Sequence, residues 1–304
     1  MTTRHYRITH VTTYRYHGGE VTTSHGTYHL RPRTLAWQPV HDHQVTLSPP
    51  AERVSVRRDV YGNQVSNFQV TEPHRELVIT ARTDCSVADR PLPPELAGTP
   101  WEQARPGAGG GGPKAWRAYD FVLASPRIDV VDESYAYAAE SFTKGRPVAE
   151  ALLDLNSRIH ADFAYRSGTT TVTTSVPDVF AARQGVCQDF AQVMISCLRS
   201  QGLAARYVSG YLATRPPPGK PRLVGADASH AWVAVWIPGR EGRAGRWWHL
   251  DPTNDRACDE SHATVAWGRD YGDVAPVRGV IYATSTSSTM DVSVDMAPLA
   301  DAPG

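Results

Sequence analysis

The sequence predicts an α+β protein: a β-rich first part, then helices, then a second antiparallel sheet. Three observations carry this. From Tyr6 to about Val87, short alternating runs rich in Val, Thr, Ile and Tyr are broken by Gly-Gly, Pro-Pro and Gly-Asn, the pattern of an antiparallel sandwich. Beyond a Pro/Gly-rich break the apolar period becomes helical, most clearly over Arg146 to Phe163. The third is Gln184 to Gly202, QGVCQDFAQVMISCLRSQG, where a glycine turn feeds a cysteine onto the first turn of a helix.

The totals bound the function. The 304 residues suffice for two domains, and 41% apolar with 20% charged residues describes a globular chain. Lys plus Arg equals Asp plus Glu at 31 each, so no global field selects nucleic acid or anionic lipid as partner. The opening MTTRHYRITH has no apolar core of a leader and no stretch reads as a membrane span, so the expected location is cytoplasmic. Cys85, Cys187, Cys197 and Cys258 are scattered without paired spacing, against a disulfide framework or structural zinc. No cofactor is expected.

In chain order, residues 1–88 are expected to form the all-β region, with DVYGNQV from Asp59 as a hairpin turn. His41 and His43 are spaced to share a strand face, as in metal sites, but no further ligands stand at matching spacing. Arg31, Arg33, Arg57 and Arg58 read as a solvated strand face. Residues 89–114 form a linker or mobile loop, stiffened by prolines at first and then loosened by Gly109 to Gly112.

Residues 115–298 form the second domain, with 299–304 a tail. Ala115 to Ala124 and Ser134 to Phe142 look helical. In the stronger helix that follows, Ala151, Leu152, Leu155, Ile159 and Phe163 line one face and Pro147 suits the start. Tyr165 to Val179 is Thr-rich and reads as extended. Ala205 to Leu212 reads as a strand, Ser229 to Ile237 pairs with Arg246 to Leu250 as a hairpin, and the strand ending TMDVSVDM is expected to extend that sheet.

Phe190, Val193, Met194, Cys197 and Leu198 recur at helical spacing, and Cys187 stands three residues before Phe190 on the same stripe. Gly202 stops the helix, with Arg199 in its last turn. At a helix N-terminus the unpaired amides and the dipole stabilise thiolate over thiol. Position alone does not separate such a nucleophile from a buried structural thiol. The distinguishing company comes later: the hairpin register brings His230, at the start of one strand, within a residue or two of opposite Asp251, at the end of the other.

Thiol acyl transfer needs a nucleophile, a base beside it and a group that holds the base. Cys187, His230 and Asp251 are the candidates, with the Cys187 N–H a natural donor to the oxyanion. Trp232, Trp247 and Trp248 lie along the same strands, where core packing is the expected duty.

GVCQDFAQVMISCLRSQGLAARYVSGYL, then SHAWVAVW, then HLDPTND, resembles the core of the transglutaminase-like superfamily, papain-like thiol enzymes with Cys, His and Asp in that order. HYRITHVTTYRY, LRPR, DVYGN and WGRDYGDVAPVRGV resemble its bacterial branch with a β-rich N-terminal domain. The resemblance implies a papain/transglutaminase-like core, a Cys-bearing helix packed on an antiparallel sheet, with Cys187 as nucleophile, His230 as base and Asp251 as orienting carboxylate. It also implies a peptide or protein substrate, many branch members being described as cysteine proteases. The GQCW motif of the animal crosslinking enzymes is absent, and no acidic calcium loop stands in the sequence. Three readings stay open: hydrolysis of a peptide or isopeptide-type amide, which is favoured; transfer to an amine, as in a protein-glutamine transglutaminase; and a non-catalytic peptide-binding scaffold. Neither the oligomeric state nor the second oxyanion donor can be read from the sequence.

Overall fold

The structure, a computed structural model, describes residues 2–107, 115–214, 228–239 and 245–299. Alternating side chains build the first six strands: β1 (Thr3–His17), β2 (Val21–Tyr28), β3 (Val40–Ser48), β4 (Arg53–Arg58), β5 (Gln64–Val70) and β6 (Glu76–Ala88). In β1 every second residue from Tyr6 to Thr12 is buried, the period-two signature of one covered face. Tyr16, Val21, Leu30, Phe68 and Ile79, drawn from both layers, share one core, so the strands form a sandwich. The turn between β4 and β5 is held by Asp59, whose Oδ1 accepts the amides of Tyr61 and Asn63 at 2.9 and 2.8 Å. Gly62 there has φ +76°, the left-handed region in which glycine alone is unstrained.

The segment expected as a linker is partly built into the core. After α1 (Pro94–Ala97) comes a 3₁₀ turn at Trp101–Ala104, and Leu96, Trp101 and Ala104 are buried. The Trp101 indole donates to the Thr143 carbonyl at 2.8 Å and its ring meets Phe142 edge-on. Composition reported the chain entropy of this stretch, whereas a few apolar side chains with a surface to bury against decided its order. Gly109 to Gly112 lie outside the described residues.

Residues Ala115–Phe121 form 3₁₀ turns, followed by α2 (Asp132–Ala139), α3 (Val148–Asp162), β7 (Ala164–Tyr165), α4 (Val176–Ala182), β8 (Gln184–Gly185) and α5 (Cys187–Ser200). Helix α4 replaces the end of the extended run read from Tyr165 to Val179, because Ser175 caps it by accepting the Asp178 amide and Pro177 occupies its first turn. Next come β9 (Ala205–Leu212), β10 (Ala228–Ile237), β11 (Arg246–Asp251), β12 (Arg256–Ala257) and β13 (His262–Gly268), antiparallel in the order β12-β11-β10-β9-β13. Helix α5 packs on β9 and β10 and is flanked by α2, α3 and α4. Its polar side is covered as fully as its apolar stripe: the Ser196 hydroxyl donates to the Asp129 carbonyl, and the Arg199 guanidinium donates to the carbonyls of Phe121, Ala205 and Arg269.

The chain ends in β14 (Val277–Ala283) and β15 (Ser287–Pro298). The expectation that the last strand extends the sheet of β10 and β11 is corrected here. β15 pairs with β1, giving the sheet β15-β1-β6-β3, and β14 pairs with β2, giving β14-β2-β5-β4. Alternation specifies a face but not an edge, and β1 and β2 offered open ladders. Side chains lock the two halves together: buried Gln38 exchanges hydrogen bonds with the Thr264 backbone, and Asn63 with that of Trp267, both on β13. Arg33, read as solvated, instead lies over the Trp267 ring at 3.6 Å.

Candidate active site

The cysteine turn is built by a carboxylate two residues beyond the cysteine. Asp189 Oδ2 accepts the Val186 amide at 2.8 Å and the Thr170 hydroxyl at 2.7 Å, fixing the angle at which the chain enters α5. The carboxylate lies so close to Gly185 that a β-carbon there would collide with it. Cys187 is therefore held at the first helical position, partly buried, on the wall of a cleft of about 270 Å³.

Across that cleft stands His230, at the start of β10. Val233 pairs with Leu250, so Asp251 falls opposite Trp232, two residues from His230. The side chains close the gap: His230 Nε2 and Asp251 Oδ2 are 2.8 Å apart and both groups are buried. Cys187 lines the same cleft as His230 and stands close enough to act on its imidazole; with Nε2 taken by the carboxylate, the nitrogen left for sulfur is Nδ1. The three residues picked out in the sequence are thus brought together. Burial pulls the imidazole pKa down, but its bond to Asp251 and the neighbouring Cys187 sulfur outweigh that and push it up to about 9. Burial likewise pushes Asp251 up, but His230 and His262 hold it well below the usual carboxylate range.

His262 and Asn254 escaped the sequence reading. His262 Nε2 lies 3.2 Å from Asp251 Oδ2 and its Nδ1 lies 3.1 Å from Asp259 Oδ1, so one buried imidazole bridges two carboxylates. The amide of Asn254 donates to the same Asp251 oxygen at 2.7 Å, while the backbone N–H groups of Thr253 and Asn254 donate to Oδ1 at 3.0 and 3.2 Å. The Asp-x-x-Asn spacing of DPTN was a visible signal for an Asx-type turn. Nothing local marks His262, which arrives from β13, a strand that pairs with β9 and not with β11. Trp232 lies beside both imidazoles, fully buried, and its indole donates to His249 Nδ1 at 3.0 Å. Packing is thus the duty of Trp232, as of buried Trp248, whereas Trp247 meets Trp236 at a tilt and lies under the Arg206 guanidinium.

His41 and His43 lie far along the fold on β3 and contact the Ser86 and Thr83 hydroxyls at 2.6 and 2.8 Å. Among the described residues no group of three or more His, Cys, Asp or Glu side chains is gathered to hold a metal ion.

Comparison with known proteins gives the family and the fold. Residues 6–85 match the bacterial transglutaminase-like N-terminal region, and residues 135–252 match the transglutaminase-like superfamily. An uncharacterized protein of Mycobacterium tuberculosis is 51% identical over 302 residues, covering 97% of this chain and 93% of that protein. The chain belongs to the transglutaminase-like superfamily. A Mycobacterium leprae relative is 32% identical over 297 residues, covering 97% of this chain and 99% of its own. A protein-glutamine gamma-glutamyltransferase of Pseudomonas aeruginosa is 37% identical over 97 residues, 31% of this chain and 14% of that enzyme. The fold of this transglutaminase-like protein matches a crystal structure from Cytophaga hutchinsonii, provisionally described as a cysteine protease, with TM-score 0.73 and 19% identity over 98% of this chain and 99% of that one. Among the described residues no helix is long and apolar enough to cross a membrane.

Proposed function

We propose that this protein is a thiol acyl-transfer enzyme in which Cys187 is the nucleophile, His230 the acid and base, and Asp251 the group that holds His230. The observation that carries the reading is the buried contact of 2.8 Å between His230 and Asp251, with Cys187 on the same cleft as the imidazole. An imidazole pushed up to about 9 is protonated at neutral pH, which favours a thiolate–imidazolium pair. Sγ attacks the amide carbonyl carbon, and the oxyanion is met by the Cys187 N–H, one of the amides a helix leaves unpaired at its N-terminus. The C–N bond then breaks as His230 passes its proton to the leaving amine. Water, giving a proton to His230, attacks the thioester and releases the carboxylic acid, leaving the thiolate and imidazolium that began the cycle.

His262 and Asn254 hold the Asp251 carboxylate in place beside His230. The favoured reaction is hydrolysis of a peptide or isopeptide-type amide. Transfer to an amine is the second reading, supported by the sequence shared with the Pseudomonas glutamyltransferase. The site requires no cofactor for this chemistry. Four free thiols suit a reducing compartment, so we place the enzyme in the cytoplasm.

Incubating the protein with a glutamine- or peptide-amide acyl donor, with and without added primary amine, separates the readings. Free acid as the dominant product in both arms is expected; a dominant amine-capped product replaces hydrolysis by transfer. Absence of any Cys187-dependent product across a broad amide panel, together with ordinary thiol reactivity of Cys187, sinks the enzyme reading and leaves a scaffold.

A further inference from the structure

The wall of the cleft facing Cys187 comes from both ends of the chain. Thr12 pairs with Val292 and Tyr14 with Met290 across the β1–β15 ladder, and all four residues, with His10, line the cleft that holds Cys187 and His230. Residues at spacing two share one face of a strand pair, so this is one continuous face. The charged residues alternate onto the other side, where Arg15 and Asp291 pair at 2.6 Å. Among the described residues lining the cleft there is no Asp, Glu, Lys or Arg.

The polar groups of this wall are also spent or neutral. His10 is 1% exposed and its Nε2 is bonded to the Thr12 hydroxyl at 2.8 Å. Burial pushes its imidazole down to about 4, so it is uncharged at neutral pH. Met290 and Val292 are by contrast 60% and 47% exposed at the lip, apolar surface left open beside a reactive thiol. A volume of about 270 Å³ lies at the small end for ligand sites and suits a side chain with its flanking backbone.

We propose that the cleft face of the β1–β15 ladder is the acyl-binding wall of this enzyme, and that it selects acyl groups that are uncharged and partly apolar over those carrying a carboxylate or an ammonium. This rests on the thiol acyl-transfer reading. It gives the β-rich region a place in the site: its first strand, completed by the last strand of the chain, meets the substrate. An ionised group laid on this wall would lose water and gain no counter-charge from its described residues, the charge on His230 being turned toward Asp251, while an apolar one covers Met290 and Val292.

The test uses thiobenzyl esters of N-acetyl-norleucine, N-acetyl-glutamate and N-acetyl-lysine, which acylate Cys187 with release of benzyl thiol. Wild type is expected to favour norleucine over both charged esters by about tenfold or more in kcat/KM. Met290→Lys and, separately, Val292→Lys place a cation at exposed positions of the lip and are expected to raise the glutamate-to-norleucine ratio about fivefold. A second readout needs no turnover: the ratio of Cys187 alkylation by iodoacetate to that by iodoacetamide is expected to rise in the same variants. No preference among the three esters in wild type, or ratios unmoved in both variants while turnover persists, overturns the acyl wall and leaves the acyl-transfer reading standing. No turnover of any ester overturns the acyl-transfer reading and the acyl wall with it, and alkylation ratios that still respond to the lysines then show only that this face lies beside Cys187.

Discussion

The two ends of α5 carry the same side chain in opposite circumstances. Cys187 opens on a cleft beside an imidazole that Asp251 steadies. Cys197, less than three turns further along, is 0% exposed within the main core, where burial pushes its thiol well above the ordinary range. Both lie on the stripe that packs against the rest of the molecule, so helical position and apolar spacing do not distinguish them. What differs is the partner within reach. A thiol becomes a nucleophile where a group stands ready to take its proton and the cavity lets a carbonyl approach, and is a small hydrophobe elsewhere.

The comparison breaks most sharply at the reacting pair. Cys187→Ala is expected to abolish turnover and covalent trapping, and His230→Ala to cost nearly as much, since the two act as one unit; steady-state rates and mass spectrometry of a trapped acyl-enzyme check both. Asp251→Asn is expected to lower kcat by about 10²- to 10⁴-fold through a mis-set tautomer and lost charge. His262→Phe, which removes one donor from that carboxylate without touching substrate, is expected to cost about tenfold in kcat with KM kept. A KM change of the same size in His262→Phe would instead mark a role in binding.

The pH dependence sharpens the same contrast. The folded pKa of His230, pushed up to about 9, lies above the ordinary 6.5 of an imidazole. Its bonds therefore contribute stability fully below pH about 6.5, and that contribution is lost as pH rises through about 9. Activity that uses the protonated ring is expected to fall over the same alkaline limb, and a pH profile of kcat/KM measures it. A limb near 6.5 would mean that the imidazole is not held by its neighbours. The smallest effect belongs to the other thiol: Cys197→Ala is expected to cost about 1 kcal/mol in a denaturant titration, with kcat per folded molecule unchanged.

The sandwich strands, the helix that bears Cys187 and the β10–β11 hairpin were legible because each rests on local periodicity and turn chemistry. The hairpin also made the pairing of His230 with Asp251 legible, since register is set within some twenty residues. His262 was not legible, because its approach to Asp251 depends on where the chain returns after β12. The helix from Val176 was hidden in a Thr-rich run, and its Ser175 cap and Pro177 start weighed more than propensity.

The residue types and their order marked Cys187, His230 and Asp251 as candidates and placed them on a helix and a hairpin, because side-chain identity and strand register are properties of the chain itself. Only the tertiary structure decided what stands across the cleft from the sulfur. β15 carries a pattern that would satisfy any open edge, and its choice of β1 over the second sheet came from which ladder was free and which core needed covering. That choice, made between segments nearly three hundred residues apart, gives the site its outer wall.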